Sequence, residues 1–239
     1  MLLLLAALAE PCLAQAPAAS PSFEVASVRP VKCGMVSMSP QGSRYFSAIN
    51  VSMSFLITWA YGIGDDQLVK NSGWIETECY SITARAAGTG TLSYDQLKPL
   101  LQNLLAQRFG LTVHSEVKEF SGYALVVAKG GPKLTPTKGG HATGYIRMDG
   151  LRAQNIPLTS LAGMLTHAAG GHVIDETGIT GRYDINISFV PDVSLAPTDS
   201  SLPSIFTALP QQLGLTLVSQ KVPVKMLYID HVDKVPTEN

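Results

Sequence analysis

Residues 93–128 read SYDQLKPLLQNLLAQRFGLTVHSEVKEFSGYALVVA, and they contain a helix signal followed directly by strand signals. Ser93 and Gln96 have the spacing of a capping box. Six apolar side chains behind them share one helical stripe: Leu97, Leu100, Leu101, Leu104, Leu105 and Phe109. Gly110 supplies the left-handed residue that ends such a helix. The residues after it predict two strands, Leu111–Glu116 and Tyr123–Ala128, joined by a turn at Ser121-Gly122.

The same order of signals returns near the C-terminus. Ile205–Leu213 reads as a helix, Gly214 ends it, and Leu215–Ser219 and Val224–Val232 read as strands. The two glycines are separated by 104 positions, and each is followed by Leu-Thr. Pro210 lacks a backbone donor, which predicts a kink or a short helix there.

Two more segments correspond at nearly the same separation. Residues 50–56 (NVSMSFL) align with residues 155–161 (NIPLTSL) at an offset of 105, and residues 80–82 align with residues 183–185 at an offset of 103. The helices that begin in the first pair are expected to end at Gly62 and Gly170. These offsets predict a tandem duplication, although two unrelated halves that both alternate helix and strand would also match at apolar positions.

The expected fold is therefore α+β, with two similar halves. Each half reads β-α-β-β-α-β-β, with two helices packed on one face of a small sheet. The first half spans residues 17–135 and the second spans residues 141–239, on either side of a Gly- and Pro-rich joint.

The N-terminus has the form of a secretory signal peptide. Leu2–Leu8 is an apolar run, and the small-residue stretch Ala14-Gln15-Ala16 predicts cleavage after Ala16, so that residues 1–16 are removed. The run is too short to span a membrane, and no later segment is long enough, so we expect no transmembrane segment in the mature chain. We therefore expect a periplasmic or extracellular protein. The formal net charge of -1 argues against nucleic acid as a partner.

Cleavage would remove Cys12 and leave Cys33 and Cys79 as the remaining thiols. Two thiols in an oxidising compartment can form a disulfide, which makes this pair the disulfide candidate. The alternative is a pair of small buried apolar residues, since free cysteine is often buried.

Motifs for catalysis and cofactor binding are missing from the sequence. It contains neither G-x-S-x-G nor H-E-x-x-H, and it has no phosphate-binding loop or dinucleotide fingerprint. His167 and His172 are five positions apart across two glycines, which does not fit a helical metal pair. We therefore expect no cofactor, no metal and no catalytic residue. The alternative is a hydrolase whose fold brings Ser160 or Thr166 to His172 and Asp175.

Three aromatic residues cluster near the end of the first predicted helix: Trp59, Tyr61 and Trp74. Aromatic side chains of this kind most often pack in a core, but they also form surfaces that bind sugars or peptides. They are the candidate ligand surface.

Several segments together resemble a large paralogous family of uncharacterised exported proteins of soil bacteria, which is a domain of unknown function. They are FEVASVRP (23–30), AYG (60–62), GWI (73–75), YALVVAKGGP (123–132), TGITGRYD (177–184) and IDHV (229–232). Some members of that family are fused to BlaR-like membrane metallopeptidases. The resemblance covers nearly the whole mature chain but brings no known activity or site residues, and the chain departs from the usual pattern at Cys79 and Pro210. The repeated unit is also similar, at fold level alone, to the short N-terminal modules of secretins and TonB-dependent receptors.

These features predict an exported, non-catalytic interaction module. Its partner would be a protein, a peptide or an envelope ligand, bound through sheet edges or a groove between the halves. Two alternatives are the hydrolase described above and a detached extracytoplasmic sensor domain, which the fused relatives suggest.

Overall fold

The computed structural model describes residues 21–39, 44–190 and 202–238, so the predicted signal peptide, with its cleavage after Ala16, lies outside the described residues. The fold is mixed α+β, with helices on small sheets, as the sequence predicts. It divides into two compact units. The first contains the residues up to His114 together with those from Leu227 onward, and the second is Ser115–Met226. The halves 17–135 and 141–239 follow from sequence correspondence and stay a prediction.

The elements that begin in the first unit are β1 (Phe23–Val31), β2 (Ser37–Ser39), β3 (Tyr45–Ser52), α1 (Met53–Tyr61), a 3-10 turn (Asp65–Gln67), β4 (Leu68–Val69), α2 (Trp74–Thr77), β5 (Cys79–Ala86), α3 (Tyr94–Phe109) and β6 (Thr112–Val127). The later elements are β7 (Thr135–Pro136), β8 (Thr143–Arg147), β9 (Gly150–Ile156), α4 (Leu158–Ala169), β10 (Val173–Asp175), β11 (Tyr183–Ser188), α5 (Ile205–Ala208), a π-helical turn (Leu209–Leu213) and β12 (Leu215–His231). β6 runs on into the second unit, and β12 ends in the first unit.

Each unit contains one antiparallel four-stranded sheet. The first has the order β1-β5-β3-β2 and the second has the order β7-β11-β9-β8. In both sheets the strands, counted along the chain, lie in the order first, fourth, third, second. This common order is what a tandem duplication would produce, and the duplication itself stays a prediction.

A left-handed asparagine occurs at the same place in both sheets. Asn50 has φ 58° and Asn155 has φ 52°. The Asn50 side chain donates to the carbonyl of Met35, and its backbone N–H donates to Ser81 Oγ. Asn155 makes the equivalent bonds to the carbonyl of Gly140 and to Asp184 Oδ1. Asparagine tolerates this backbone conformation better than most residues, which explains why asparagine occupies both positions.

The predicted turn at Ser121-Gly122 is wrong, because β6 continues through it as one strand. A third four-stranded sheet has the order β10-β6-β12-β4, in which β12 is likewise continuous where the sequence predicts two strands. A Cβ on Gly122 would lie 2.4 Å from the carbonyl oxygen of His172 and 2.6 Å from Val222 Cγ2. The glycine therefore permits a close backbone approach within the strand, and it does not mark a turn.

The predicted helix ends are confirmed. Ser93 and Gln96 form the capping box of α3, and Gly110 ends that helix in the left-handed conformation. Gly62 ends α1 and Gly170 ends α4 in the same way. The helix interrupted at Pro210 consists of one short α-helix followed by a π-helical turn, as expected for a residue without an N–H.

Each unit has its own apolar core. Helices α1 and α3 cover the first, where Leu227 and Ile229 of β12 join the residues that precede His114. Helices α4 and α5 cover the second, which also contains Leu125 of β6.

Gly163 offers a simple test of the α4 assignment. It lies at an exposed position in the middle of that helix, and a Cβ there would meet nothing within 4 Å. Gly163→Ala should raise the free energy of unfolding by about 0.5–1 kcal/mol, because alanine loses less conformational entropy in a helix. Urea denaturation measures the change. A decrease in stability would contradict a helical Gly163.

Tyr80 is buried in the first core and anchors the C-terminal segment. Its side chain is 1% exposed, its ring packs against Phe109 with centroids 5.0 Å apart, and its hydroxyl donates to the carbonyl of Lys234 at 2.7 Å. Burial, with a smaller contribution from Glu78, raises the pKa of the phenol from 10.0 to about 12. The unfolded chain therefore loses this proton first as the solution becomes alkaline.

The free energy of unfolding should consequently fall as the pH rises from 10 to 12. Tyr80→Phe should lower stability at neutral pH by about 1 kcal/mol through the lost hydrogen bond, and it should make the alkaline decline shallower. Urea denaturation at several pH values measures both effects. Tyr45→Phe, at an exposed position on β3, is the matched control. An equally steep decline in Tyr80→Phe and wild type would contradict the assignment.

Candidate binding surfaces

A shallow aromatic depression of about 380 Å³ lies where the end of α1 meets the start of α3. The residues that line it are Phe55, Thr58, Trp59, Gly62, Ile63, Tyr94 and Lys98. Phe55 and Trp59 lie one turn apart on the same side of α1, and Ile63 follows just after the end of that helix. The N-terminal turns of α3 contribute Tyr94 and Lys98. We call this the aromatic depression.

Trp59 is the partly buried centre of the aromatic depression. Its ring packs on Phe46, with centroids 5.6 Å apart, and meets Tyr94 edge-on at 5.9 Å. Phe55 and Tyr94 remain 43% and 38% exposed. Because the Trp59 ring is anchored in the core, the rings of Phe55 and Tyr94 are held beside it with part of their surfaces open to solvent.

The other two aromatic candidates lie elsewhere. Tyr61 and Trp74 are partly buried and pack against the first core, and neither lines the aromatic depression. Burial raises the pKa of the Tyr61 phenol. Sequence reasoning missed Tyr94 and Lys98 because they come from a different helix, and no spacing rule connects two helices. It also missed Phe55, which the i,i+4 spacing to Trp59 could have indicated.

A polar cluster joins the start of α1 to the segment around β4. The buried Ser54 hydroxyl donates to Asp65 Oδ1 at 2.9 Å, and Lys70 Nζ lies 3.1 Å from Asp65 and 2.6 Å from Glu76. Hydrogen bonds from Lys70 and Ser54 lower the pKa of Asp65, and the bond to Glu76 raises the pKa of Lys70. Lys70 therefore stays protonated and cannot act as a base towards Ser54, so we interpret the cluster as a structural clamp.

The open edge of the second sheet is formed by β8, which, among the residues that the structure describes, pairs with β9 on one side only. All five residues of the strand are exposed, including Tyr145 and Ile146. Met148, in the turn that follows, is 94% exposed. The guanidinium of Arg147 lies over the Tyr145 ring, 4.8 Å from its centroid. Unpaired strand edges of this kind are where extended chains can add to a sheet.

The hydrolase alternative placed catalytic roles on residues that make structural contacts. Asp175 accepts hydrogen bonds from the backbone N–H and hydroxyl of Thr177, and Thr166 Oγ1 accepts from the N–H of Val173. Ser160 is exposed on α4, and the His172 ring packs near Phe120, with centroids 5.6 Å apart. These bonds shape the loop around β10.

The structure contains a histidine–carboxylate pair that the sequence does not indicate. His114 Nδ1 lies 2.7 Å from Asp230 Oδ1, and the imidazole stacks on Tyr228 with centroids 4.9 Å apart. The two residues are 116 positions apart and come together through strands β6 and β12. Both side chains are about half-exposed, so the pair contributes little to stability.

Cys33 and Cys79 form a disulfide, with their Cα atoms 5.1 Å apart. Cys79 pairs with Val31 at the end of the β1–β5 ladder, and Cys33 follows two residues after Val31. The bond therefore fastens the segment that leads to β2.

Neither a spanning helix nor a metal cluster is found within residues 21–39, 44–190 and 202–238. No helix there is long and apolar enough to cross a membrane. In the same ranges, no group of three or more His, Cys, Asp or Glu side chains is arranged to hold a metal ion.

Comparison with known proteins places the chain in a family. A family model described as a protein of unknown function (DUF3738) matches residues 54–232. No curated protein and no solved structure matches the chain.

Proposed function

The chain belongs to the DUF3738 family of proteins of unknown function, and we propose that it is an exported, non-catalytic module that binds an extended peptide segment of a partner protein. The observation that carries the proposal is the open edge of β8. Strand addition at such an edge gives affinity through main-chain hydrogen bonds and specificity through alternate side chains.

The register of the β8–β9 hairpin indicates which backbone groups are available. Arg147 pairs with Gly150 across the two-residue turn Met148-Asp149, so this closing pair exchanges its hydrogen bonds. The bonding direction alternates along a strand, and Tyr145 and Thr143 therefore also face β9. The N–H and C=O groups of Gly144 and Ile146 face outward.

The side chains around this edge indicate the chemistry of the partner strand. Tyr145, Ile146 and Met148 offer exposed apolar surface, and Arg147 adds one positive charge. An apolar strand with an acidic residue near one end complements this edge. A strongly basic peptide does not.

The test uses peptides selected from a displayed random library on the mature protein. Peptides that bind at this edge should bind Ile146→Ala somewhat more weakly than the unsubstituted protein, because alanine removes the apolar side chain but keeps the outward N–H. They should bind Ile146→Pro at least about tenfold more weakly than Ile146→Ala, since proline also removes that donor. Circular dichroism and thermal melting of both variants show that they are folded.

Two outcomes would overturn strand addition at β8. One is that selection enriches no peptide, and the other is that the enriched peptides bind Ile146→Pro as tightly as Ile146→Ala.

Export is the second part of the proposal. It is supported by the N-terminal apolar run and by the disulfide, which persists in oxidising compartments. N-terminal sequencing of the secreted protein should begin at Pro17 or within a few residues of it. Retention of the full chain in the cytoplasm would refute export.

A further inference from the structure

We propose that the aromatic depression is a second binding site, that its ligand is a neutral sugar, and that a single pyranose ring stacks against Tyr94 and Phe55. The site lies in the first unit and is separate from the β8 edge in the second. Sugar binding in the aromatic depression would not depend on strand addition at β8.

The rings provide the stacking surface. Trp59 is fixed by its contact with Phe46 and meets Tyr94 at an interplanar angle of 60°, so these rings form a corner and not a flat wall. A pyranose has an apolar C–H face that packs on an aromatic ring and a rim of hydroxyls that needs hydrogen-bonding partners. Aromatic side chains held in this way present a large contact area with little loss of conformational entropy on binding.

The charges at the rim select against ionic ligands. Lys98 lines the aromatic depression, and the described lining contains no carboxylate that would help to hold a quaternary ammonium ion, the usual ligand of three clustered aromatic rings. Asp95 lies 3.0 Å from Lys98 Nζ and cancels its charge, which removes the attraction for a carboxylate or phosphate. The ion pair offers both donors and acceptors without net charge, and hydroxyl groups can use both.

The dimensions are consistent with a small ligand. A volume of about 380 Å³ lies near the lower end of the range for small-molecule sites, roughly 300–1,000 Å³. Seven residues contribute to the lining, so the site accommodates one ring and leaves the rest of an oligosaccharide in solvent. We therefore expect weak binding, with a dissociation constant of about 0.1–1 mM.

The test reads the fluorescence of Trp59 directly. The chain contains two tryptophans, so the mature Trp74→Phe variant reports on Trp59 alone. This variant is titrated with cellotetraose, chitotetraose and maltotetraose. At least one of them should change the emission, with an affinity that does not depend on salt because the ligand is neutral.

Variants of the exposed rings locate the site. Tyr94→Ala and Phe55→Ala, each in the Trp74→Phe background, should weaken binding about tenfold. Tyr45→Ala removes an exposed aromatic ring from β3 that does not line the aromatic depression, so it should bind like the parent. Unchanged melting temperatures exclude a loss of fold.

Three results would overturn the proposal. These are no spectral change with any of the three sugars up to about 10 mM, unchanged affinity in both Tyr94→Ala and Phe55→Ala, and saturable binding of choline or acetate instead of the sugars.

Discussion

Replacing both Cys33 and Cys79 with alanine should lower the free energy of unfolding of the mature chain by about 3–4 kcal/mol. The disulfide closes a loop between residues that are 46 positions apart, and its removal restores the conformational freedom of that loop in the unfolded chain. The first unit should lose most of this stability because the bond fastens the end of its β1–β5 ladder. Urea denaturation of the oxidised protein and the double variant measures the difference.

Reduction provides the control for this measurement. Wild-type protein treated with a dithiol should lose a similar amount of stability, whereas the double variant should not respond. Thiol titration of the denatured, oxidised mature protein should detect no free thiol. Two free thiols per chain would contradict the disulfide.

Replacing Gly150 with alanine should have a comparable effect, lowering the free energy of unfolding by about 3 kcal/mol or more. Gly150 has φ 137°, which L-residues rarely adopt, and a Cβ would lie 2.1 Å from the carbonyl oxygen of Ile187. The obstructing atoms belong to the backbone of β11, which pairs with β9. The clash can be relieved only by separating the two strands.

Gly170→Ala separates the two contributions. Gly170 also has a positive φ of 68°, but a Cβ there would meet nothing within 4 Å. This variant should cost only the backbone strain, about 1 kcal/mol. If Gly150→Ala and Gly170→Ala lose equal stability, the close approach of β9 and β11 is not as described.

The elements that sequence predicted best are those whose signals are local. The capping box of α3, the helix ends at Gly62, Gly110 and Gly170, and the interruption at Pro210 each depend on one or a few residues acting within a helical turn. Gly122 misled the prediction because the neighbour that requires a glycine there, the carbonyl of His172, lies 50 positions further along the chain.

The candidate sites show the same limit. Trp59 could be selected from the sequence because it lies near Tyr61 and Trp74, but its exposed partner Tyr94 is 35 positions away on another helix. The open edge of β8 could not be selected at all. Whether a strand is at an edge depends on the order of strands in the sheet, and that order is determined by pairings such as β9 with β11.

The division of the first unit into two distant segments has a consequence for how the chain matures. Leu227 and Ile229 complete a core whose other residues precede them by more than a hundred positions, so that core cannot close until the ribosome has added Ser115–Met226. At about 5–20 residues per second, this interval lasts roughly 6–22 s. For the proposed export in an unfolded state, this delay would be an advantage, because the first unit stays unfolded until the residues from Leu227 onward have been added.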